Sequence, residues 1–229
     1  MKTIGLIGGM SWQSTVEYYR IINELISEKL GKLHSAKCII YSFDFEEVAE
    51  KQREGRWDET GRLLSDAARK LEESGAMIIL ICTNTMHRVA DTVSDSISVP
   101  LINIIDVTAE EIKAKGLKKV GLLGTKFTME DGFYTERLGK YGINVLIPGV
   151  EEREFIHNVI FNELCKGIIS TKSKKRFLEI IDGLKRKGAE GIILGCTEIP
   201  LLIRGEDINI GVFDTTFIHS RKAVELSLI

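Results

Sequence analysis

Two short segments each set a cysteine beside a hydroxyl residue at the end of an apolar run: "ILICTNTMH" at 79–87 and "GIILGCTEIP" at 191–200. In the first, Cys82 and Thr83 are followed by Asn84 and Thr85. In the second, Cys196 and Thr197 are followed by Glu198. A thiol with an unperturbed pKa of about 8.5 can give or take a proton near neutral pH. Hydroxyls and carboxamides beside it can bind an anion or stabilise developing negative charge. Each segment thus presents a nucleophile-type side chain followed by polar residues, a pattern suited to acid/base chemistry or to binding a small ligand.

Elements that would position such groups recur along the whole chain. Strand-like runs rich in Ile, Val and Leu are "TIGLIG" (3–8), "KCIIYSF" (37–43), "AMIILIC" (76–82) and "PLINII" (100–105). The series then restarts with "KVGLLG" (119–124), "INVLIP" (143–148), "EGIILG" (190–195) and "INIGVF" (208–213). Their unalternated apolar character predicts parallel strands buried on both faces. Helical patterns lie between them. Leu64, Ala67 and Leu71 recur at steps of three and four, as do Phe177, Ile180 and Leu184. The Lys- and Arg-rich remainder of the second pattern reads as a solvated helix face. This alternation predicts an α/β fold with parallel sheets.

The restart is an internal repeat. "IGLIG" at 4–8 matches "VGLLG" at 120–124, and "GAMIILICTNT" from Gly75 matches "GAEGIILGCTE" from Gly188, an ungapped offset of 113. The three core positions of each preceding helix keep that offset. Carried forward, it pairs Cys82 with Gly195 and Thr83 with Cys196. Pairing the two cysteines instead would need a one-residue insertion, which turns a strand side chain to the opposite face. The repeat therefore favours Thr83, not Cys82, as the twin of Cys196.

Composition bounds the remaining possibilities. With 229 residues, 44% of them hydrophobic and 28% charged, the chain has the balance of a folded globular protein. A formal charge of −2 provides no field for nucleic acid. The opening "MKTIGLIGGM" is too short and glycine-broken for a secretory signal, and no run of about 18 uncharged apolar residues predicts a membrane span. A cytoplasmic protein is expected. The four cysteines, 38, 82, 165 and 196, form no close pairs, which argues against a structural metal site or a disulfide framework.

In open α/β sheets, ligands bind beyond the carboxyl ends of the strands, where both cysteine-threonine segments fall. The loops after the first strand of each half, "GGMSWQST" (8–15) and "GTKFTM" (124–129), should open helices whose amides attract an anion. Neither is a nucleotide-binding fingerprint. His87 stands one turn past Thr83, where it could orient that residue, touch a ligand or simply pack.

Taken in order, "IGLIGGMSW", "TNTMH", "GLLGT" and "GCTEI" resemble the aspartate/glutamate racemase family of cofactor-independent amino-acid racemases along the full length of the chain. The resemblance implies two pseudo-symmetric flavodoxin-like lobes around a cleft, with one acid/base from each lobe acting on opposite faces of the substrate α-carbon. It implies no pyridoxal phosphate or other cofactor, no metal, and a homodimer. It also implies that the final helix returns to the first lobe, giving lobes of 1–98 with 212–229 and of 99–211. Many members carry Cys-Asn-Thr where this chain has Thr83-Asn84-Thr85. The chain thus resembles a threonine/cysteine branch associated with L-aspartate and L-glutamate.

On that resemblance Thr83 and Cys196 are the catalytic pair. Substrate contacts are Met10 through its backbone, Gln52, Asn84, Thr85 and Thr197. Threonine has no useful acidity of its own, so Cys196 should carry most of the chemistry. A cation for a substrate side-chain carboxylate is not assigned: Arg53, Lys126 and Lys166 are candidates, and a lysine of some relatives falls on Cys165. Alternatives on the same fold are racemisation of neutral amino acids and decarboxylation of a malonate. A non-catalytic module binding a small anion is a different class of alternative.

Overall fold

Residues with branched or long apolar side chains favour extended backbone when both faces are covered, and the central strands of this protein follow that rule. A computed structural model describes all residues, 1–229. The chain divides into two compact units, residues 1–104 with 216–229 and residues 105–215.

The first unit runs β1 (Ile4–Gly8), α1 (Trp12–Leu30), β2 (Cys38–Ser42), α2 (Phe45–Arg53), α3 (Trp57–Glu73), β3 (Ile78–Ile81), a 3-10 turn (Thr85–Val89), α4 (Ala90–Ser94) and β4 (Leu101–Ile102). Its four strands are parallel, in the order β2-β1-β3-β4. Every residue of β1 and β3 is buried. Helix α3 lays Leu64, Ala67 and Leu71 against Ile7, Ile79 and Ile81 in one apolar cluster, as its three- and four-residue spacing predicts.

The second unit repeats the plan. It contains α5 (Ile104–Ala114), β5 (Lys119–Gly124), α6 (Lys126–Glu130), α7 (Phe133–Gly139), β6 (Asn144–Leu146), α8 (Val150–Asn162), a 3-10 turn (Leu164–Lys166), α9 (Thr171–Arg186), β7 (Gly191–Gly195), α10 (Ile199–Leu202), a 3-10 turn (Gly205–Asp207), β8 (Gly211–Asp214) and α11 (Thr215–Ser227). The parallel order is β6-β5-β7-β8. Phe177, Ile180 and Leu184 of α9 are buried. The first residue of α5 and all but the first of α11 belong to the other unit.

Ladder register can be compared between the units. Ile4 and Val120 hold the same place in the repeat. Ile4 pairs with Ile78 and Val120 with Gly191, and Gly191 follows Ile78 by 113 residues (191 − 78). The Cys82 amide prolongs the first ladder onto the Ile7 carbonyl at 2.9 Å. The ladders therefore preserve the sequence offset, and they give Cys82 the position of Gly195 and Thr83 the position of Cys196.

Two sequence expectations need correction. "PLINII" is not a six-residue strand: only Leu101 and Ile102 pair with β3, and Ile104 and Ile105 open α5. Short apolar runs do not separate a buried strand from a buried helix start. The outer strands are also not buried on both faces. β2 is only half-covered, with Ile40 exposed, because nothing pairs beyond the edge of the sheet. No helix is long and apolar enough to cross a membrane.

Candidate functional site

The chain leaves β1 toward β2 on one side, while β3 lies on the other. Such a switch of direction opens a crevice at the carboxyl ends of the two central strands. In the first unit that crevice is bordered by the β1–α1 turn and the segment after β3. Gly9 makes the turn with φ of +84°, and a Cβ there would lie 2.3 Å from the Phe43 carbonyl oxygen. Its amide donates to Thr15 Oγ1 at 2.8 Å, and Ser11 caps α1 by accepting the Ser14 amide. Met10 sends its side chain into the apolar cluster that also holds Met86. Its main chain is thus the part suited to a ligand.

Gln52, at the end of α2, is buried and donates through Nε2 to Met86 Sδ at 2.8 Å. This contact brings Gln52 beside the turn that carries Thr83, Asn84 and Thr85, all three of them buried. The His87 ring bonds to the Thr83 carbonyl oxygen through Nδ1 at 2.8 Å and takes the Ile104 amide on Nε2 at 3.1 Å. Of the roles open to His87, orienting the Thr83 segment is the one its bonds serve. Cys82 is fully buried, and desolvation, then Cys38, pushes its thiol above the ordinary range.

The second unit builds its counterpart at the ends of β5 and β7. Thr125 caps α6 by accepting the Thr128 amide at 3.2 Å. Gly195 ends β7 in a crowded place, where a Cβ would meet Leu122 Cδ1 at 2.8 Å and the Leu123 carbonyl oxygen at 2.9 Å. Cys196 and Thr197 follow, both buried. The Cys196 thiol donates to Glu198 Oε2 at 2.9 Å, and the Thr197 hydroxyl donates to the same oxygen at 3.0 Å.

Burial first, then the Glu198 carboxylate and Cys165, raises Cys196 well above the usual thiol range. Cys165 is raised by burial and by its own contact with Glu198. One buried carboxylate thus serves two thiols and a hydroxyl. Glu198 is the residue that sequence reasoning left out of the site. Its place two residues past Cys196 is no signal by itself: the turn closed by the Ile199 amide on the Cys196 carbonyl folds the side chain back onto the thiol.

The sequence-predicted residues fall into two groups. Met10, Gln52, Thr83, Asn84 and Thr85 gather in the first unit, and Cys196 and Thr197 in the second. Of the three cationic candidates, Arg53 is exposed and paired with Glu46, and Lys126 is half-buried and paired with Glu154 at 2.9 Å. Lys166 is exposed. No group of three or more His, Cys, Asp or Glu side chains is arranged to hold a metal ion.

Known proteins share this architecture. A candidate Asp/Glu racemase from Yersinia pestis matches with a TM-score of 0.93 and 49% identity, covering 100% of both chains. An aspartate racemase homologue from Pyrococcus horikoshii matches with a TM-score of 0.88 and 41% identity, again over 100% of each. The broad-specificity amino-acid racemase of Bacillus subtilis is 23% identical over 98% of each chain. Against curated glutamate racemases to which it is 26–29% identical, the chain spans only 48–59% of their length. Residues 7–223 match the family described as Asp/Glu/hydantoin racemase, and the chain belongs to that family.

Proposed function

We propose that the protein is an amino-acid racemase that needs no pyridoxal phosphate and interconverts the enantiomers of aspartate and/or glutamate. In this reading Thr83 and Cys196 serve opposite faces of the α-carbon. The observation that carries it is the shared ladder register, which sets Thr83 and Cys196 five residues past the equivalent positions Ile78 and Gly191.

Cys196 first passes its proton to the Glu198 carboxylate, which it already touches. The thiolate then removes the α-proton. The Thr83 hydroxyl donates its proton to the other face, and solvent returns the proton held by Glu198 to the Thr83 alkoxide. Atoms and charge balance over the cycle. The α-proton is very weakly acidic, so the carbanionic intermediate needs donors aimed at the substrate carboxylate. Asn84, Thr85, Gln52 and the Met10 main chain supply them, joined by Thr197 once its hydroxyl no longer donates to Glu198, and their burial makes each count for more than in water. A thiol at one face and a hydroxyl at the other make the two directions unequal.

A second reading, racemisation of neutral amino acids, is favoured by one feature. No lysine or arginine is buried, and both Arg53 and Lys126 are already paired with carboxylates.

The test is incubation of the purified protein with L-aspartate, L-glutamate and a set of neutral amino acids in D2O, without added cofactor. Loss of the α-proton signal and appearance of the D-enantiomer are followed by NMR and chiral separation. Cys196→Ser and Thr83→Ala should each lower racemisation by about 10²–10⁴-fold, whereas Cys82→Ala should retain most of it. Full activity in Cys196→Ser would refute the reading. Exchange confined to neutral amino acids would select the second reading over the first.

A further inference from the structure

Behind Thr83 lies a connected set of buried side chains to which the proposed proton transfers assign no part. In a regular α-helix the amide of residue 87 would turn onto the Thr83 carbonyl. Here that amide bonds to the Asn84 carbonyl at 3.0 Å, as a 3-10 turn requires. The His87 side chain supplies a donor in its place, with Nδ1 at 2.8 Å from the Thr83 oxygen. Nε2 of the same ring lies 3.1 Å from the Ile104 amide. A carbonyl only accepts and an amide only donates, so the proton is assigned to Nδ1 and the ring is neutral.

A second histidine braces the first. His219 packs edge-on against His87, with centroids 5.7 Å apart. Its Nε2 donates to the Ile102 carbonyl at 2.8 Å, so its Nδ1 accepts the Tyr18 hydroxyl at 2.8 Å. His219 and Tyr18 are fully buried and His87 is nearly so. All four ring nitrogens are therefore bonded, those of His87 to main-chain groups of fixed polarity, and a half-turn of either ring would put carbon where nitrogen now bonds.

We propose that His87, braced by His219 and Tyr18, is a positioning residue that fixes the Thr83 main chain and so aims the Thr83 hydroxyl for proton transfer. The inference rests on the reading of Thr83 as the acid/base of the first unit. A hydroxyl with no acidity of its own depends heavily on geometry, and a misplacement of about 1 Å can cost roughly 100-fold in rate.

The experiment compares wild type, His87→Ala and His87→Asn in the full-length protein, using the best amino-acid substrate in D2O. The Asn side chain restores a donor near the Nδ1 position. The readout is the ratio of inversion to α-proton exchange without inversion, measured from the enantiomer whose proton Cys196 removes. In His87→Ala, inversion should fall about 30–100-fold while exchange with retention falls no more than about 3-fold. His87→Asn should recover most of the inversion. A merely structural role would lower both processes together and leave Asn no better than Ala, and that result overturns the proposal.

Amide hydrogen exchange at Asn84 and Thr85 is measured in parallel. Faster exchange in Ala and recovery in Asn are expected, and unchanged protection in Ala overturns the proposal whether or not the wild type turns over. Absence of any α-proton exchange in wild type would instead sink the racemase reading, leaving amide exchange to decide the positioning claim.

Discussion

A thiol that donates to a buried carboxylate is a weak acid, and the thiolate it leaves is a correspondingly strong base. Cys196 is in that situation: burial raises it first and Glu198 second. Replacing Glu198 by Gln removes the second cause and keeps the first. Alkylation of Cys196 by iodoacetamide, followed by mass spectrometry across pH, should then move to lower pH while staying above the range of free cysteine. Exchange of the substrate α-proton should slow, since the acceptor of the thiol's proton is gone. An unmoved alkylation profile would mean that the carboxylate does not govern the thiol. Residue-scale features were unevenly legible in the sequence. The equivalence of Thr83 and Cys196 was readable because a repeat offset is a counting matter that the ladders obey. The partnership of Glu198 was not, because a glutamate beside a helix start ordinarily reads as an acidic first-turn residue. Only the local turn brings it back onto Cys196.

At the scale of elements, legibility followed coverage. "KVGLLG" has the same bounds, 119–124, as the observed β5, a strand paired on both sides and buried for most of its length. "PLINII" misled because β4 keeps two ladder positions before Ile104 turns into α5. Apolar composition alone cannot date that switch. Coverage also confines Gly195, which stands where the other repeat carries Cys82. β7 ends against the Leu123 carbonyl, 2.9 Å from a would-be Cβ, and a backbone atom in a ladder cannot step aside. Gly195→Ala should therefore destabilise the fold by roughly 1–3 kcal/mol and displace Cys196, lowering activity and the urea midpoint together. Gly205→Ala makes the control, since a Cβ there meets nothing within 4 Å. Equal midpoints for the two variants would show that β7 tolerates the added methyl.

For the molecule as a whole, the decisive event is that the chain's two ends belong to one unit. Residues 216–229 are part of the same unit as residues 1–104, and the Lys2 amide donates to the Ser227 carbonyl at 2.7 Å. His219, on the returning helix, secures that closure through Tyr18 of α1 and Ile102 of β4. Burial lowers its pKa to about 3 from an ordinary 6.5. The sign of the consequence follows from proton counting. Between pH 6.5 and 3 the unfolded chain binds a proton at this residue that the folded chain refuses. Stability therefore falls as pH drops through that window. The loss from this one group approaches roughly 3–5 kcal/mol near pH 3, at about 1.4 kcal/mol for each pH unit. His219→Gln keeps a polar side chain but cannot titrate. It should be less stable than wild type at pH 7.5, where the native bonds are lost at no gain. The gap should then narrow steadily as pH is lowered to 4, measured by thermal midpoints at fixed ionic strength. A gap that stayed constant with pH would mean that His219 titrates alike in the folded and unfolded chain. That would remove it as the acid-sensitive link between the last helix and the first strands.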